Sequence, residues 1–289
     1  MKHCILFIGI FLCSVCSDCV ATTSGRPYYT PDDSITVTRL LSAAEVQSEP
    51  CLPLYFARQF LGKPYVPYTL ELFPDNEQLI VNTRELDCTT FVETVTALTL
   101  CAQQNRTSFA DYCATLQRIR YRRGKIDQYP SRLHYFSDWI DDKPQMNIVA
   151  EQQAPNPPFE AVQQLKINYM SKHLNSYVSL KRHAEYLQEI AKMEQSLTGR
   201  RYRYIPKAKV MDIEAMRQTI KDGDIVAITS SKPGLDIAHL GFALWQKDGI
   251  HLICASMIYK KVVIDPMTLS QYLSKNPSHT GIRVVRIRH

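Results

Sequence analysis

Five short runs rich in β-branched residues crowd the last third of the chain and constrain its fold more than any other feature. Gly, Asp, Lys and Pro residues separate these runs, which span 224–230, 240–246, 251–256, 261–265 and 282–287. Runs of this length between turn residues are typical of β-strands. The first half instead carries helical patterns at 39–61, 88–101 and 108–120, and one strand-like run at 78–82. Helices followed by consecutive short strands predict an α+β fold with a largely antiparallel central sheet.

A segment of different character lies between these two parts, from about residue 121 to 204. It combines an aromatic and basic loop, YRRGKIDQYPSRLHYFSDWI, with a proline-rich connector, QQAPNPPFE, and a heptad-like run, LKRHAEYLQEIAKMEQSL. Long elaborated segments within a domain are usually functional or disordered, and this one is too aromatic for disorder. We interpret it as a helical and loop insertion that builds one wall of a cleft.

The N-terminal stretch MKHCILFIGIFLCSVCSDCVA reads as a signal peptide over residues 1–21. Its apolar run is shorter than the ~20 residues of a transmembrane helix, so stable membrane insertion is not expected. We therefore expect one exported domain over 22–289, periplasmic or secreted. Lipid attachment is the less favoured alternative, because Leu12, Val15 and Asp18, rather than small residues, precede the three cysteines nearest the cleavage site.

Charge and motif content narrow the class of partner. The formal net charge of +6 suits an anionic polymer, whether nucleic acid, lipid head groups or acidic cell-wall glycopeptide. The sequence lacks basic repeats with interleaved aromatics and zinc-finger spacings, so nucleic acid is not expected. It also lacks H-E-x-x-H and paired His/Cys spacings, so no metal and no cofactor are expected. The oligomeric state stays open.

An odd number of cysteines follows the leader, which leaves at least one free thiol unless one pairs with another chain. These cysteines are Cys51, Cys88, Cys101, Cys113 and Cys254. Cys88 opens a predicted helix in RELDCTTFVE, where Asp87 is placed to cap it. A helix N-terminus and a nearby imidazole lower a thiol pKa from ~8.5 to ~3.5–7.5, so we expect a reactive thiolate here. The alternative is a small core residue that happens to begin a helix.

A nucleophilic thiol needs a general base, which usually comes from elsewhere in the chain. His239 in GLDIAHLGFALW is the best placed histidine, since it follows a glycine-containing loop and begins a predicted strand. His134 is the second candidate. In the alternative interpretation, His239 only caps a strand.

Three motifs in a fixed order resemble the NlpC-type cell-wall hydrolases, which are papain-like cysteine peptidases and amidases. They are GKPY at 62–65, DC at 87–88 and HLG at 239–241. Further segments resemble the N-acetylmuramoyl-L-alanine amidase-like branch of that superfamily, from about residue 50 to the C-terminus. These are NTRELDCTTFVE, SRLHYFSDWI, YIPK, GDIVAIT, GLDIAHLGFA, VVIDPMTLSQYL and SHTGIRVVRI.

The resemblance implies a papain-like fold and a set of catalytic residues. Cys88 would be the nucleophile, His239 the general base, and Tyr65 a hydroxyl that lines the site. In the superfamily a third polar residue orients the histidine from the next strand, and here that strand reads Cys254-Ala255-Ser256. Because a thiol is a weak hydrogen-bond partner, Ser256 and Cys254 both stay candidates.

Substrate contacts are expected from polar and aromatic side chains near these motifs. The candidates are Tyr65, Asn82, Arg84, Asp87, Arg132, His134, Tyr135 and Trp139. Arginine can bind a peptide carboxylate through two hydrogen bonds, and aromatic rings can stack on sugar faces. For each residue taken singly, a solvated or packed loop position is the alternative.

The sequence therefore predicts a cysteine amidase that acts on peptidoglycan fragments, or muropeptides, at the bond between N-acetylmuramic acid and L-alanine. Contacts to both sugar and peptide would favour soluble fragments, including those with anhydro-sugar ends. One alternative is an endopeptidase that cuts between γ-D-glutamate and the diamino acid. The other is a protein that binds muropeptides without cutting them.

Overall fold

A computed structural model describes residues 25–154 and 157–288, so the predicted signal peptide at 1–21 lies outside the described residues. The helices are α1 (Pro31–Ala44), α2 (Leu52–Gln59), α3 (Cys88–Gln103), α4 (Phe109–Arg120), α5 (Phe136–Asp142), α6 (Tyr169–Lys172), α7 (Val178–Arg182), α8 (Ala184–Leu197), α9 (Ile213–Thr219) and α10 (Leu269–Lys275). The strands are β1 (Val149–Gln152), β2 (Ala161–Gln164), β3 (Arg201–Pro206), β4 (Ile225–Ser230), β5 (Ile237–Gln246), β6 (Gly249–Ser256), β7 (Lys261–Ile264) and β8 (His279–Ile287).

The described strands form one antiparallel sheet, in the order β2-β3-β8-β4-β5-β6-β7, with β1 also paired to β8. The five strands predicted from β-branched runs correspond to β4–β8, and the predicted α+β class is confirmed. Strands β1–β3 come from the segment interpreted as an insertion and were not predicted. Their local sequences, such as RYRYIP, are polar or mixed, and their structure depends on pairing: β1 and β3 pair with β8, and β2 pairs with β3.

Helix α3 is the central helix and packs directly on the sheet. All of its residues from Thr90 to Cys101 are buried. Near its start, the Phe91 ring lies edge-on to Phe242 of β5, with 5.8 Å between centroids, and 6.3 Å from Phe60. Edge-to-face aromatic pairs of this kind fix geometry as well as burying area. The N-terminus of α3 is therefore held against β5.

The segment 121–204 divides between two apolar clusters. Tyr121, Phe136 and Trp139 join the main core around α3, whereas Tyr129, Tyr135 and residues of α6–α8 form a cluster of their own. Because part of the segment shares the main core, its position relative to α3 is fixed by tertiary contacts.

Two local predictions differ from the structure. The helical pattern at 39–61 is two helices, α1 and α2, with a break around Pro50, and α1 begins earlier than expected because Thr30 and Asp33 form a capping box. The strand-like run at 78–82 forms only an isolated bridge between Tyr28 and Ile80. Across the described residues, no helix combines the length and apolar character needed to cross a membrane.

Candidate active site

Cys88 is the first residue of α3, and Asp87 caps this helix as predicted. The Asp87 carboxylate accepts a 2.7 Å hydrogen bond from the Thr90 backbone N–H. In return the Asp87 N–H donates to the Thr90 hydroxyl at 2.9 Å. The N–H groups of a first helical turn lack partners within the helix, so those of Cys88 and Thr89 are placed to meet an anion.

His239 lies near the start of β5, beside Cys88. The Cys88 thiol is hydrogen-bonded to the backbone of Leu240, the residue that follows His239. Next along the strand, a Cβ on Gly241 would lie 3.0 Å from the Cys254 Cβ and 3.0 Å from the Ile253 carbonyl oxygen. Only glycine lets β5 and β6 approach this closely, which explains the glycine of HLG.

Cys88 and His239 line one cavity of about 230 Å³. The opposite side is lined mainly by apolar and aromatic residues from the segment 121–204, namely Leu133, His134, Tyr135, Phe136, Trp139, Tyr169, Met170 and Tyr177. Residues 235–238, which lead into β5, complete the lining together with Val92 and Glu93 of α3. The cavity thus has a thiol and an imidazole on one side and a wall of rings on the other.

The expected low pKa of Cys88 is wrong for the unliganded site. Burial, and after it the charge of Asp87, raise the pKa of the Cys88 thiol to about 12, and the hydrogen bond to Leu240 offsets this only in part. Burial and the nearby His279 lower the pKa of His239 to about 4. At neutral pH the resting pair is therefore a neutral thiol and a neutral imidazole.

Tyr65 lies near Cys88, in the GKPY loop, and is not among the residues that line the cavity. Its backbone bridges Leu86, just before Asp87, and its N–H donates to the Lys260 carbonyl at 2.9 Å. Burial, followed by the charges of Cys88 and Asp87, raises the pKa of the Tyr65 phenol to about 12. The hydroxyl therefore stays protonated and can donate a hydrogen bond near Cys88.

Asn82 and Arg84 do not line the cavity. The Asn82 side-chain oxygen accepts hydrogen bonds from the N–H groups of Arg84 and Glu85 at 3.0 and 3.1 Å, which fixes the turn before α3. The exposed Arg84 guanidinium lies 3.4 Å from the Asp33 carboxylate. Both side chains thus shape the loop that leads into α3.

Arg132 also lies outside the cavity lining. Its guanidinium donates to Glu77 at 2.7 and 3.0 Å, to Glu71 at 2.6 Å and to the Leu70 carbonyl at 3.0 Å. All three side chains are largely buried. The expectation that Arg132 grips a substrate carboxylate is therefore corrected, because protein groups already occupy this guanidinium and join the 121–204 segment to the loop before α3.

His134, Tyr135 and Trp139 do line the cavity, but their polar atoms contact protein. The ring of His134 is hydrogen-bonded to the Tyr129 carbonyl at 3.1 Å, and burial together with Arg132 lowers the pKa of His134 to about 3. Tyr135 donates to Glu194 at 2.7 Å, and the Trp139 indole donates to the Ile119 carbonyl at 3.0 Å. These residues present ring surfaces to the cavity.

Neither predicted candidate for the third catalytic residue makes a hydrogen bond to His239 in the described structure. Cys254 is fully buried in an apolar cluster that also contains Ile228, the cross-strand partner of His239. The Ser256 hydroxyl accepts a hydrogen bond from the Tyr259 N–H at 3.3 Å. Two aromatic residues that sequence reasoning missed, Tyr272 and His279, lie beside His239 instead.

The described residues contain no cluster of three or more His, Cys, Asp or Glu side chains that could hold a metal ion. All five cysteines among the described residues are free thiols. The site is therefore described by its own side chains and backbone amides.

Comparison with known proteins gives one matching family and several similar structures. A family model described as AmiA-like, N-acetylmuramoyl-L-alanine amidase-like, matches residues 55–282. The crystal structure of an N-acetylmuramoyl-L-alanine amidase from Bacteroides uniformis is 42% identical, with a TM-score of 0.76, and the match covers 82% of this chain and 98% of that one. No curated protein matches the sequence significantly.

Two further structures are similar. One from Bacteroides fragilis, provisionally described as a xylanase, is 44% identical with a TM-score of 0.74, over 80% of this chain and 98% of that one. A protein from Legionella pneumophila is 20% identical with a TM-score of 0.67, over 89% and 95% of the two chains, which shows the fold alone.

Proposed function

Because the chain belongs to the N-acetylmuramoyl-L-alanine amidase-like family, we propose that it is a cysteine amidase that cleaves the bond between N-acetylmuramic acid and L-alanine in muropeptides. The observation that carries this proposal is the cavity shared by Cys88, at the capped start of α3, and His239 of β5. We also propose that the fold is papain-like, of the NlpC type. This proposal is supported by a cysteine at the start of a helix that packs on an antiparallel sheet carrying a histidine.

The proposed reaction begins from the neutral pair. The His239 imidazole accepts the Cys88 proton as the sulfur attacks the carbonyl carbon of the lactoyl group on the sugar. The oxyanion meets the first-turn amides of α3 and the protonated Tyr65 hydroxyl. The imidazolium then protonates the L-alanine nitrogen, the peptide leaves, and a thioester remains. Water, deprotonated by His239, hydrolyses the thioester and releases the sugar acid and the thiol.

The composition of the cavity supports a substrate with two different ends. The ring surfaces of Tyr135, Trp139 and Tyr177 suit a sugar face or an apolar peptide segment, whereas the other side carries the Cys88 thiol and the His239 imidazole. Contacts on both sides of the scissile amide help to drive the chemical step. We propose that such contacts favour soluble muropeptides, including those with anhydro-sugar ends, over intact wall.

A glycosidase is the second candidate, raised by the name of the Bacteroides fragilis structure. Glycoside hydrolysis usually needs two free carboxyl groups that flank the bond. In this cavity Glu93 is paired with Arg120 at 2.7 Å, and Asp236 accepts a 2.7 Å hydrogen bond from the Ser137 N–H. Because both carboxylates are engaged by protein groups, the site favours amide chemistry.

The test is to digest a purified disaccharide-tetrapeptide and to weigh the products. Free disaccharide together with an intact peptide that starts at L-alanine supports the amidase. A sugar that still carries L-alanyl-γ-D-glutamate identifies the endopeptidase instead, and binding without any product identifies the non-catalytic alternative. Parallel assays on reducing-end fragments, anhydro-ended fragments and insoluble wall measure the preference for soluble substrate, and Cys88→Ala provides the inactive control.

We also propose export to the periplasm or the medium after cleavage near Ala21. The apolar start of the sequence supports this proposal, since peptidoglycan lies outside the cytoplasm. Mass spectrometry of the mature protein tests it. A diacylglycerol group on a leader cysteine would instead identify a lipoprotein.

A further inference from the structure

The imidazole of His239 has no hydrogen bond to another side chain among the residues that the structure describes. A general base normally needs an orienting partner, because its ring must point one nitrogen at the nucleophile. The two polar residues on the adjacent strand, Cys254 and Ser256, make no hydrogen bond to His239 in the described structure, and the Ser256 hydroxyl accepts from the Tyr259 N–H. Another contact must therefore hold the ring of His239.

The contact that the structure offers is a stack of three rings. The Tyr272 phenol lies nearly parallel to the His239 imidazole, with 6.0 Å between centroids and 22° between planes. The His279 ring stacks on Tyr272 in turn, at 5.6 Å and 11°. The stack thus joins β5 to α10 and β8, two consecutive elements that come later in the chain.

The support behind Tyr272 is rigid. Leu269 and Leu273 of α10 are buried, and Thr268 caps the helix in a capping box with Gln271. His279 is itself hydrogen-bonded to the backbone of Tyr272. A ring fixed in this way restricts the rotation of an imidazole that lies against it.

We infer that Tyr272 is the positioning residue of the catalytic imidazole, and that its ring face, rather than a hydrogen-bond acceptor, orients His239. The inference rests on the proposed cysteine mechanism. It gives a role to Tyr272 in VVIDPMTLSQYL and to His279 in SHTGIRVVRI, two segments that contain neither Cys88 nor His239. The stack has a second effect, because an aromatic face attracts the imidazolium that forms when Cys88 is deprotonated.

The groups around the stack keep it uncharged at rest. Burial raises the pKa of Tyr272, so the phenol stays protonated. Burial and then the charges of Lys232 and Lys207 lower the pKa of His279, whose Nδ1 atom is buried without a partner among the described residues. Cys88 faces the same region from α3, and burial raises its pKa as well. Cys254 and Asp265 also lie near the Tyr272 phenol. A proton placed on His239 would meet the face of Tyr272 as a favourable neighbour.

The experiment compares Tyr272→Phe, which keeps the ring, with Tyr272→Leu, which removes it, in amidase assays across pH. Tyr272→Phe should retain kcat within about threefold. Tyr272→Leu should lower kcat by about 10- to 100-fold, with little change in KM. This loss is smaller than that expected from removing the general base altogether, which contributes ~10²–10⁴-fold. Removing the ring admits water, so the acidic limb of kcat/KM, which reports the free enzyme, should move from about pH 4 toward the ordinary histidine pKa of ~6.5. Tyr29→Leu, at an exposed tyrosine that packs on Phe109, is the matched control.

A Tyr272→Leu variant with normal kcat and an unmoved acidic limb would overturn the inference, provided that His239→Ala is inactive. If His239→Ala is fully active, the proposed function itself fails, so the two failures can be distinguished. A second measurement needs no variant at position 272. The ring protons of His239, assigned by NMR from the spectrum of His239→Gln, should show an upfield ring-current shift, and unshifted signals would exclude the stack.

Discussion

The carboxylate of Asp87 caps the helix that begins at Cys88 and at the same time raises the pKa of the Cys88 thiol. The two effects oppose each other at the nucleophile. The cap fixes the helix start and its free amides, whereas the negative charge, added to burial, keeps the sulfur protonated. In the mechanism that we propose, the thiol proton is therefore transferred during the attack rather than beforehand.

Asp87→Asn tests this relationship. Asparagine caps helices about as well as aspartate, so the fold should be kept while the charge is lost. We expect the pKa of Cys88 to fall and its alkylation by iodoacetamide at pH 8 to become faster. In the native chain, the alkylation rate should still rise with pH above 8. A rate that is already constant at pH 6 would mean a preformed thiolate and would contradict the neutral resting pair.

Loss of either catalytic side chain should abolish turnover. We expect Cys88→Ala and His239→Ala each to lower kcat/KM on the disaccharide-tetrapeptide by at least about 10³-fold, as in other nucleophile–base pairs. Thermal melting should show a folded protein in both cases. Cys51→Ala is the matched control, since Cys51 is also a half-buried thiol but lies outside the cavity. Substantial activity in Cys88→Ala would disprove the mechanism.

Arg132→Met should destabilise the protein rather than only weaken substrate binding. Removing the guanidinium leaves the carboxylates of Glu71 and Glu77 buried and unpaired, which typically costs about 3–5 kcal/mol. Urea denaturation measures the loss. The control is Arg182→Met, whose ion pair with Asp75 is more than half exposed and should contribute at most about 1 kcal/mol. A fully stable Arg132→Met with raised KM would restore the substrate role for Arg132.

The protein should lose stability as pH falls below about 6.5, the unfolded histidine pKa. Folding lowers the pKa of His134 to about 3 and that of His239 to about 4, so the unfolded chain binds more protons in this range. The free energy of unfolding therefore rises with pH between the folded and the unfolded histidine pKa values, and the melting temperature should increase from pH 4 to pH 7.

The variant His134→Gln isolates one of these contributions. It should flatten the rise of melting temperature with pH, whereas His173→Gln, at an exposed histidine, should leave the slope unchanged. An unaltered slope in His134→Gln would mean that His134 is not kept neutral by burial.

Much of the architecture was predictable because the signals are local. The β-branched runs predict β4–β8, the apolar repeats predict α3 and α4, and Asp87, as a capping residue, predicts the start of α3. Strands β1–β3 carry no such pattern. Their structure depends on pairing with β8 and with each other, and these partners lie far along the chain.

The sequence by itself determined where α3 and β5 begin, since helix capping, hydrophobic periodicity and a glycine at a close approach of two strands are properties of short segments. Only the tertiary structure decided what surrounds them. It occupies Arg132 with two buried glutamates, leaves His239 without a hydrogen bond to Cys254 or Ser256 among the described residues, and stacks that imidazole on Tyr272. It also sets the protonation of Cys88 and His239, because pKa values depend on burial and on charges that long-range folding brings together.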